Sequence, residues 1–92
     1  MDTSQPNIHR FLYFYFNRTE SEKIRQVVPA HVQYWKSVNV KDYMGGPFAD
    51  RTGGLISFVA SSVEEATAII HQDPFVLNDL IDQKWIKEWI PE

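Results

Sequence analysis

The stretch Thr19–Val38, TESEKIRQVVPAHVQYWKSV, decides how the rest of the chain is arranged. At about 100° per residue, Ile24, Val27, Val28, His31, Tyr34, Trp35 and Val38 fall within an arc of about 120°. That arc is the buried face of an amphipathic helix, because Lys23, Arg25, Gln26, Gln33 and Lys36 all lie off it. Such a helix lies on a sheet. Thr19 and Glu22 have the spacing of a capping box, which marks the start. Pro29 removes one helical hydrogen bond on the outer side, so the helix either kinks there or restarts with Pro29 in its first turn. His31 sits inside the apolar stripe beside Tyr34 and Trp35.

Upstream, Ile8 to Phe16 (IHRFLYFYF) is rich in aromatics and free of turn formers, so it reads as a strand. Side chains alternate across a strand, which sends Leu12, Phe14 and Phe16 one way and Phe11, Tyr13 and Tyr15 the other. Both faces need cover. Downstream, Val40 to Met44 is a short, weaker strand, and the loop GGPFADRTGG (residues 45–54) holds all four glycines, as turn chemistry or as the wall of a site. Leu55 to Ala60 is a strand, and Ser62 with Glu65 forms a second capping box opening a helix to about His71, with Ala66, Ile69 and Ile70 inward. Asp73-Pro74 then starts a helix of about five residues. Gln83 to Ile90 is the last strand, with Trp85 and Trp89 on one side, Ile86 and Ile90 on the other, and Pro91 to stop it.

The order strand, helix, strand, strand, helix, strand folds most simply as α+β, a ferredoxin-like βαββαβ sandwich: a four-stranded antiparallel sheet with its helices on one face. The other face is then an apolar patch of several hundred Å², more than a soluble monomer exposes. A homodimer with sheet packed face to face on sheet is therefore expected, with Trp85 and Trp89 in its core.

At 92 residues the chain makes one domain, 1–92, and buries roughly 60–65% of its unfolded surface, so a partner subunit would help it. Nine basic against twelve acidic residues give a net charge of −3 with no basic stripe, which disfavours nucleic acid. No cysteine means no disulfide, thiolate nucleophile or zinc–cysteine site. With no leader pattern and no apolar run of membrane length, a soluble cytoplasmic protein is expected.

Two residues carry candidate chemistry, and each has two readings. His31 is either a core histidine satisfied by backbone carbonyls or the base of a pocket. Asp73 caps the helix opened by Pro74, and a capping carboxylate can offer its second oxygen to a histidine, holding one tautomer and stabilising the imidazolium. Neither GxGxxG nor GxxxxGK[ST] is present, so the glycines do not spell a phosphate cradle. His71 with Asp73 lacks a third ligand at recognisable spacing, and no metal is expected. Tyr13 and Tyr15 read as aromatic packing with a wet hydroxyl end.

Pro29-Ala30-His31, Gly46-Pro47, Ser62-Val63-Glu64-Glu65-Ala66 and Asp73-Pro74-Phe75, in that order across nearly the whole chain, resemble the YCII-related family of small dimeric ferredoxin-like α+β barrel proteins. The resemblance implies an active site pairing His31 with Asp73, and one branch of the family contains a dehydrochlorinase acting on a chlorinated hydroxyhydroquinone. Two positions depart from the family pattern: Val28 stands where relatives often carry Arg, and Asp79 where a glycine commonly follows the DPF motif. The activity implied is a cofactor-independent lyase or isomerase, dehydrochlorinase-like, acting on a small molecule. In it His31 moves the proton, Asp73 orients it, and Gly46, Pro47, Tyr34 and Phe75 shape the substrate's surroundings. The alternative is a non-catalytic ligand-binding or structural dimer of the same fold.

Overall fold

The structure, a computed structural model, describes residues 9–19 and 21–91, the side chain of Ser21 excepted. Its elements are β1 (His9–Asn17), α1 (Ser21–Ser37), β2 (Lys41–Pro47), β3 (Gly53–Ala60), α2 (Val63–Ile70), α3 (Pro74–Leu77) and β4 (Ile81–Trp89). The strands form one sheet in the order β2-β3-β1-β4, and every neighbouring pair is antiparallel. This is the ferredoxin-like βαββαβ arrangement with α3 as a short extra turn. β1, apolar on both sides, takes an inner position in the sheet.

Its alternation sorts the two faces. Phe11, Tyr13 and Tyr15 are buried under the helices, where Phe58 and Ile56 of β3 stand opposite Phe11 and Tyr13. Trp35, Ala66, Ile70, Phe75 and Leu80 complete this core. Leu12, Phe14 and Phe16 point to the face without helices, where Phe14 stacks on its cross-strand partner Trp85 with ring centroids 5.4 Å apart.

α1 runs unbroken through Pro29, which is exposed. The carbonyl its missing N–H would have met belongs to Arg25, also exposed, so solvent is within reach of the vacant acceptor and no restart is needed. Val28, at the margin of the stripe, is 39% exposed. The Thr19–Glu22 capping box spans Glu20 and the Ser21 side chain and so falls outside the described residues, as does Ile8; Glu22 itself accepts a hydrogen bond from Arg25 Nη1 at 2.9 Å. At α2 the Ser62 side chain accepts from Glu65 N at 3.1 Å, while Glu65 reaches one residue further back, to the backbone and hydroxyl of Ser61.

The glycine-rich loop is a correction. Gly45 and Gly46 lie within β2 and Gly53 and Gly54 open β3, leaving a connection of residues 48–52 only. No described glycine has a positive φ; Asn39, Asp42, Arg51 and Asp79 take those positions instead. The glycines matter for close approach. A Cβ on Gly53 would collide with the Tyr15 carbonyl, and one on Gly54 would lie 2.6 Å from the Tyr15 hydroxyl oxygen. Asp79, at φ 56°, is fixed by Arg18, whose Nε donates to the Asp79 carbonyl at 3.1 Å. β4 likewise begins two residues before Gln83, because a register shift between Phe16 and Asn17 brings Ile81 opposite Asn17. Ile90 lies beyond its end and is exposed. No helix among the described residues is long and apolar enough to cross a membrane.

Candidate active site

α3 is only four residues long, yet its cap organises the site. Asp73 is fully buried, and both of its oxygens are engaged. Oδ1 accepts from the Phe75 backbone N–H at 2.8 Å, which is the capping bond, and lies 2.9 Å from His31 Nδ1, so the histidine shares the capping oxygen and does not take the second one as expected. Oδ2 accepts from the indole Nε1–H of Trp35 at 2.8 Å. His31 and Trp35 are one turn apart on α1, so a single helix face supplies two donors to one carboxylate. An ionised carboxylate is acceptor-only, so His31 Nδ1 carries the proton, and Nε2 of the neutral ring is left as the acceptor. Among the described residues, His31 is the one basic side chain within ion-pair distance of Asp73.

The ring is held from two sides. Phe75 stacks on it at 4.1 Å and 10°, and Tyr15 presents an edge at 6.3 Å. The His31 side chain is 13% exposed, enough for one edge to reach solvent.

Of the other residues expected around a substrate, Tyr34 donates its hydroxyl to the Ile69 carbonyl at 2.6 Å and acts as a strut between α1 and α2. Gly46 and Pro47 are exposed on β2, a sheet edge, and the Gly46 carbonyl and the Tyr15 hydroxyl both border the space left by the missing Gly54 side chain. Two surface hollows, of about 450 and about 390 Å³, are lined by Phe16, Phe48, Ala49, Asp50 and Thr52, and by Arg18, Lys23, Asn78, Asp79 and Leu80. Neither is lined by His31 or Asp73.

Tyr13 and Tyr15 correct the expectation of wet hydroxyls. Tyr13 is fully buried and its hydroxyl has no partner among the described residues, while Tyr15 is 5% exposed. An orphaned buried hydroxyl costs about 1–3 kcal/mol. Burial first, and then the nearby Asp73 carboxylate, push both phenols far above their ordinary value. Tyr43, stacked on Trp35, is raised for the same two reasons.

A pH dependence follows. The unfolded chain ionises its tyrosines at about pH 10, whereas the fold keeps Tyr13 and Tyr15 neutral, so their contribution to stability is complete below pH 10 and is lost as pH rises above it. Denaturant midpoints should therefore fall steeply above pH 10, with tyrosinate absorbance from these two rings emerging only as the chain unfolds. Ordinary titration of all four tyrosines in an intact fold would contradict this.

What sequence reasoning missed was the third donor. Trp35 was legible as core, and its place one turn after His31 was the available signal that both side chains point at the same target.

The four-stranded ferredoxin-like sheet makes this a small α+β sandwich protein, and it carries a histidine–carboxylate contact between α1 and the cap of α3. Within it, residues 10–90 match the model of the YCII-related domain, and the chain belongs to that family. It is 37% identical over 82 residues to the uncharacterized protein YjpA of Bacillus subtilis (strain 168), an alignment covering 85% of this chain and 95% of YjpA. Among solved structures it is similar to 5-chloro-2-hydroxyhydroquinone dehydrochlorinase (TftG) from Burkholderia phenoliruptrix AC1100, in complex with 2,5-dihydroxybenzoquinone. That match has a TM-score of 0.77 and 25% identity over 88% of this chain and 93% of the other. The hydroxynitrile lyase from Passiflora edulis shares the fold at a TM-score of 0.55 and 15% identity, over 95% of each chain.

Proposed function

We propose that the protein is a cofactor-independent acid–base enzyme, a lyase or isomerase of the dehydrochlorinase-like kind, acting on a small molecule as a homodimer. One observation carries this reading: a fully buried carboxylate holds three N–H donors, one of which is the Nδ1–H of a histidine whose Nε2 has no partner among the described residues. A core histidine satisfied by backbone carbonyls would not need such a carboxylate. The likeness to TftG supports the reaction type.

The chemistry follows from the geometry. Nε2 accepts a proton from the substrate, and Asp73 faces the positive charge that spreads over the ring without itself taking the proton. Phe75 and Trp35 hold the pair in register, the first by stacking on the imidazole and the second by occupying the carboxylate oxygen that would otherwise be free to swing. The proton then returns to a leaving group or to a neighbouring carbon. A second reading, a non-catalytic binding or structural dimer, draws on the close packing of His31 against Phe75 and Tyr15.

His31→Gln keeps a donor for Asp73 and removes the base. Dehydrochlorination of a chlorinated hydroxyhydroquinone, or hydrogen–deuterium exchange at an enolisable carbon followed by NMR, should slow by about 100- to 10,000-fold with the melting curve little changed. Turnover equal to the parent protein would overturn the enzyme reading.

A further inference from the structure

Trp35 occupies one oxygen of Asp73, and the side chains that hold Trp35 in turn have no part yet in the chemistry. We infer that Arg10, Asp42 and Tyr43 are positioning residues for the His31–Asp73 pair: on one face of the sheet Arg10 clamps a bulge in β2, and on the other face that bulge holds the Tyr43 ring against Trp35. Their effect on turnover rests on the acid–base reading; their effect on Trp35 does not.

The bulge shows in the register. Lys41 pairs with Val59 and Met44 with Ser57, so three steps along β2 match two along β3. In an unbroken register residue 43 would stand opposite Ser57 and share its face, and the Ser57 hydroxyl meets Arg10 on the side without helices. The one extra residue turns Tyr43 to the other side, where its ring lies on Trp35 with centroids 5.9 Å and planes 18° apart. Asp42 takes the strain of this, at φ 54°, in the left-handed region that a residue with a Cβ disfavours. Arg10 holds it there. Reaching from β1 across β3, its Nη1 donates to Ser57 Oγ at 2.7 Å and to the Asp42 carbonyl at 3.3 Å, while Nη2 lies 3.7 Å from Asp42 Oδ2, so backbone and side chain of the bulge residue are both gripped.

On the helix side, three rings pack on Trp35: Tyr34, Phe58 and Tyr43. Phe58 is fully buried and Tyr34 is tied to the Ile69 carbonyl, whereas Tyr43 is 42% exposed and stands between the indole and water. Gly45 leaves room for it, since a Cβ there would lie 2.7 Å from the Tyr43 hydroxyl oxygen. With this cover in place the Trp35 N–H keeps Asp73 Oδ2 dry, and the field of the carboxylate falls on His31 undiluted by solvent. Without it, water competes for Oδ2 and the carboxylate turns away from the imidazole.

Exchange of the Trp35 indole N–H with water, followed by NMR and assigned with Trp35→Phe, tests this. Arg10→Met, which keeps the packing of the stem, and Tyr43→Ala should each speed that exchange by about tenfold while the backbone amides that pair β1 with β3 exchange as in the parent. Tyr43→Phe, which keeps the ring, should exchange at the parental rate. Because Arg10 acts through Tyr43, the double variant Arg10→Met with Tyr43→Ala should exchange no faster than Tyr43→Ala alone, whereas two independent structural losses would multiply. In the assay used for His31→Gln, kcat of either single variant should fall about tenfold with KM little changed. Parental indole exchange in Arg10→Met or in Tyr43→Ala, or multiplied effects in the double variant, overturns the positioning role. Indole exchange that behaves as stated in a protein whose His31→Gln variant turns over like the parent would sink the acid–base reading instead and leave the clamp on Trp35 standing.

Discussion

Asp73→Asn should remove nearly all turnover from a chain that still folds, a loss of about 10⁴ in kcat of the kind seen when a histidine's orienting carboxylate becomes an amide. The reason lies in counting donors and acceptors. Asp73 accepts from Phe75 N, His31 Nδ1 and Trp35 Nε1 through two oxygens, and asparagine has one. If the amide oxygen serves Phe75 and His31, the NH₂ group faces the indole N–H, donor against donor. If the amide flips, its NH₂ meets His31 Nδ1, the ring moves its proton to Nε2, and the atom that should accept the substrate proton already carries one. Either arrangement should cost about 1–3 kcal/mol of stability, read from denaturant unfolding. Asp73→Ala should cost about 3–5 kcal/mol, because the α3 cap and the buried partner of His31 go together. A fully active Asp73→Asn protein would mean that the carboxylate is a helix cap and nothing more.

Trp85→Glu should dissociate the homodimer proposed for this chain. The sheet face without helices presents half-buried Leu12, Phe14 and Phe16, with Leu55, Trp85, Trp89 and Met44 exposed, Met44 at 75%. A stable protein–protein interface removes about 1,200–2,000 Å² from water in total, and this is the surface here that has both the extent and the aromatic content for it. Trp85 is central, stacked on Phe14 and edge-on to Phe16 at 5.9 Å. Arg10, on the same face, is already held by Ser57 Oγ at 2.7 Å and by the Asp42 carboxylate at 3.7 Å, so it brings no unpaired charge into the contact. A glutamate at 85 would be buried against a second sheet without a partner, raising the dimer dissociation constant at least 100-fold. Light scattering or sedimentation of both proteins at equal concentration decides it, and a parent protein that already sediments as a monomer would discard the sheet-on-sheet dimer.

How much of this was legible beforehand divides along physical lines. Periodicity placed α1 and the two faces of β1, because burial acts on whole stripes and a stripe survives the loss of any one residue: Val28 drifts to the margin and Pro29 interrupts nothing. Local hydrogen-bond chemistry placed the caps at Ser62 and Asp73, since the groups involved lie within a few residues of each other. Contacts between distant segments were harder. The glycines read as turn residues because their isolated preference is for turns, and the Tyr15 backbone and hydroxyl that require Gly53 and Gly54 are more than 35 positions away. Tyr13 and Tyr15 read as wet-ended because most tyrosines are, and only the packing of two helices over β1 closes the interior above them. His31 and Asp73, 42 positions apart, could be matched by chemical complementarity; Trp35 was hidden by its ordinariness as a core residue.

The three tryptophans are distributed so that the molecule carries its own optical reporters. Trp35 emits from a 2%-exposed position with its indole N–H on the Asp73 carboxylate, whereas Trp85 and Trp89 emit from the sheet surface. The blue-shifted component of the spectrum should therefore track occupancy near His31. The red-shifted component should track the association proposed for the helix-free sheet face, so one spectrometer could follow both events in a single titration without an added label.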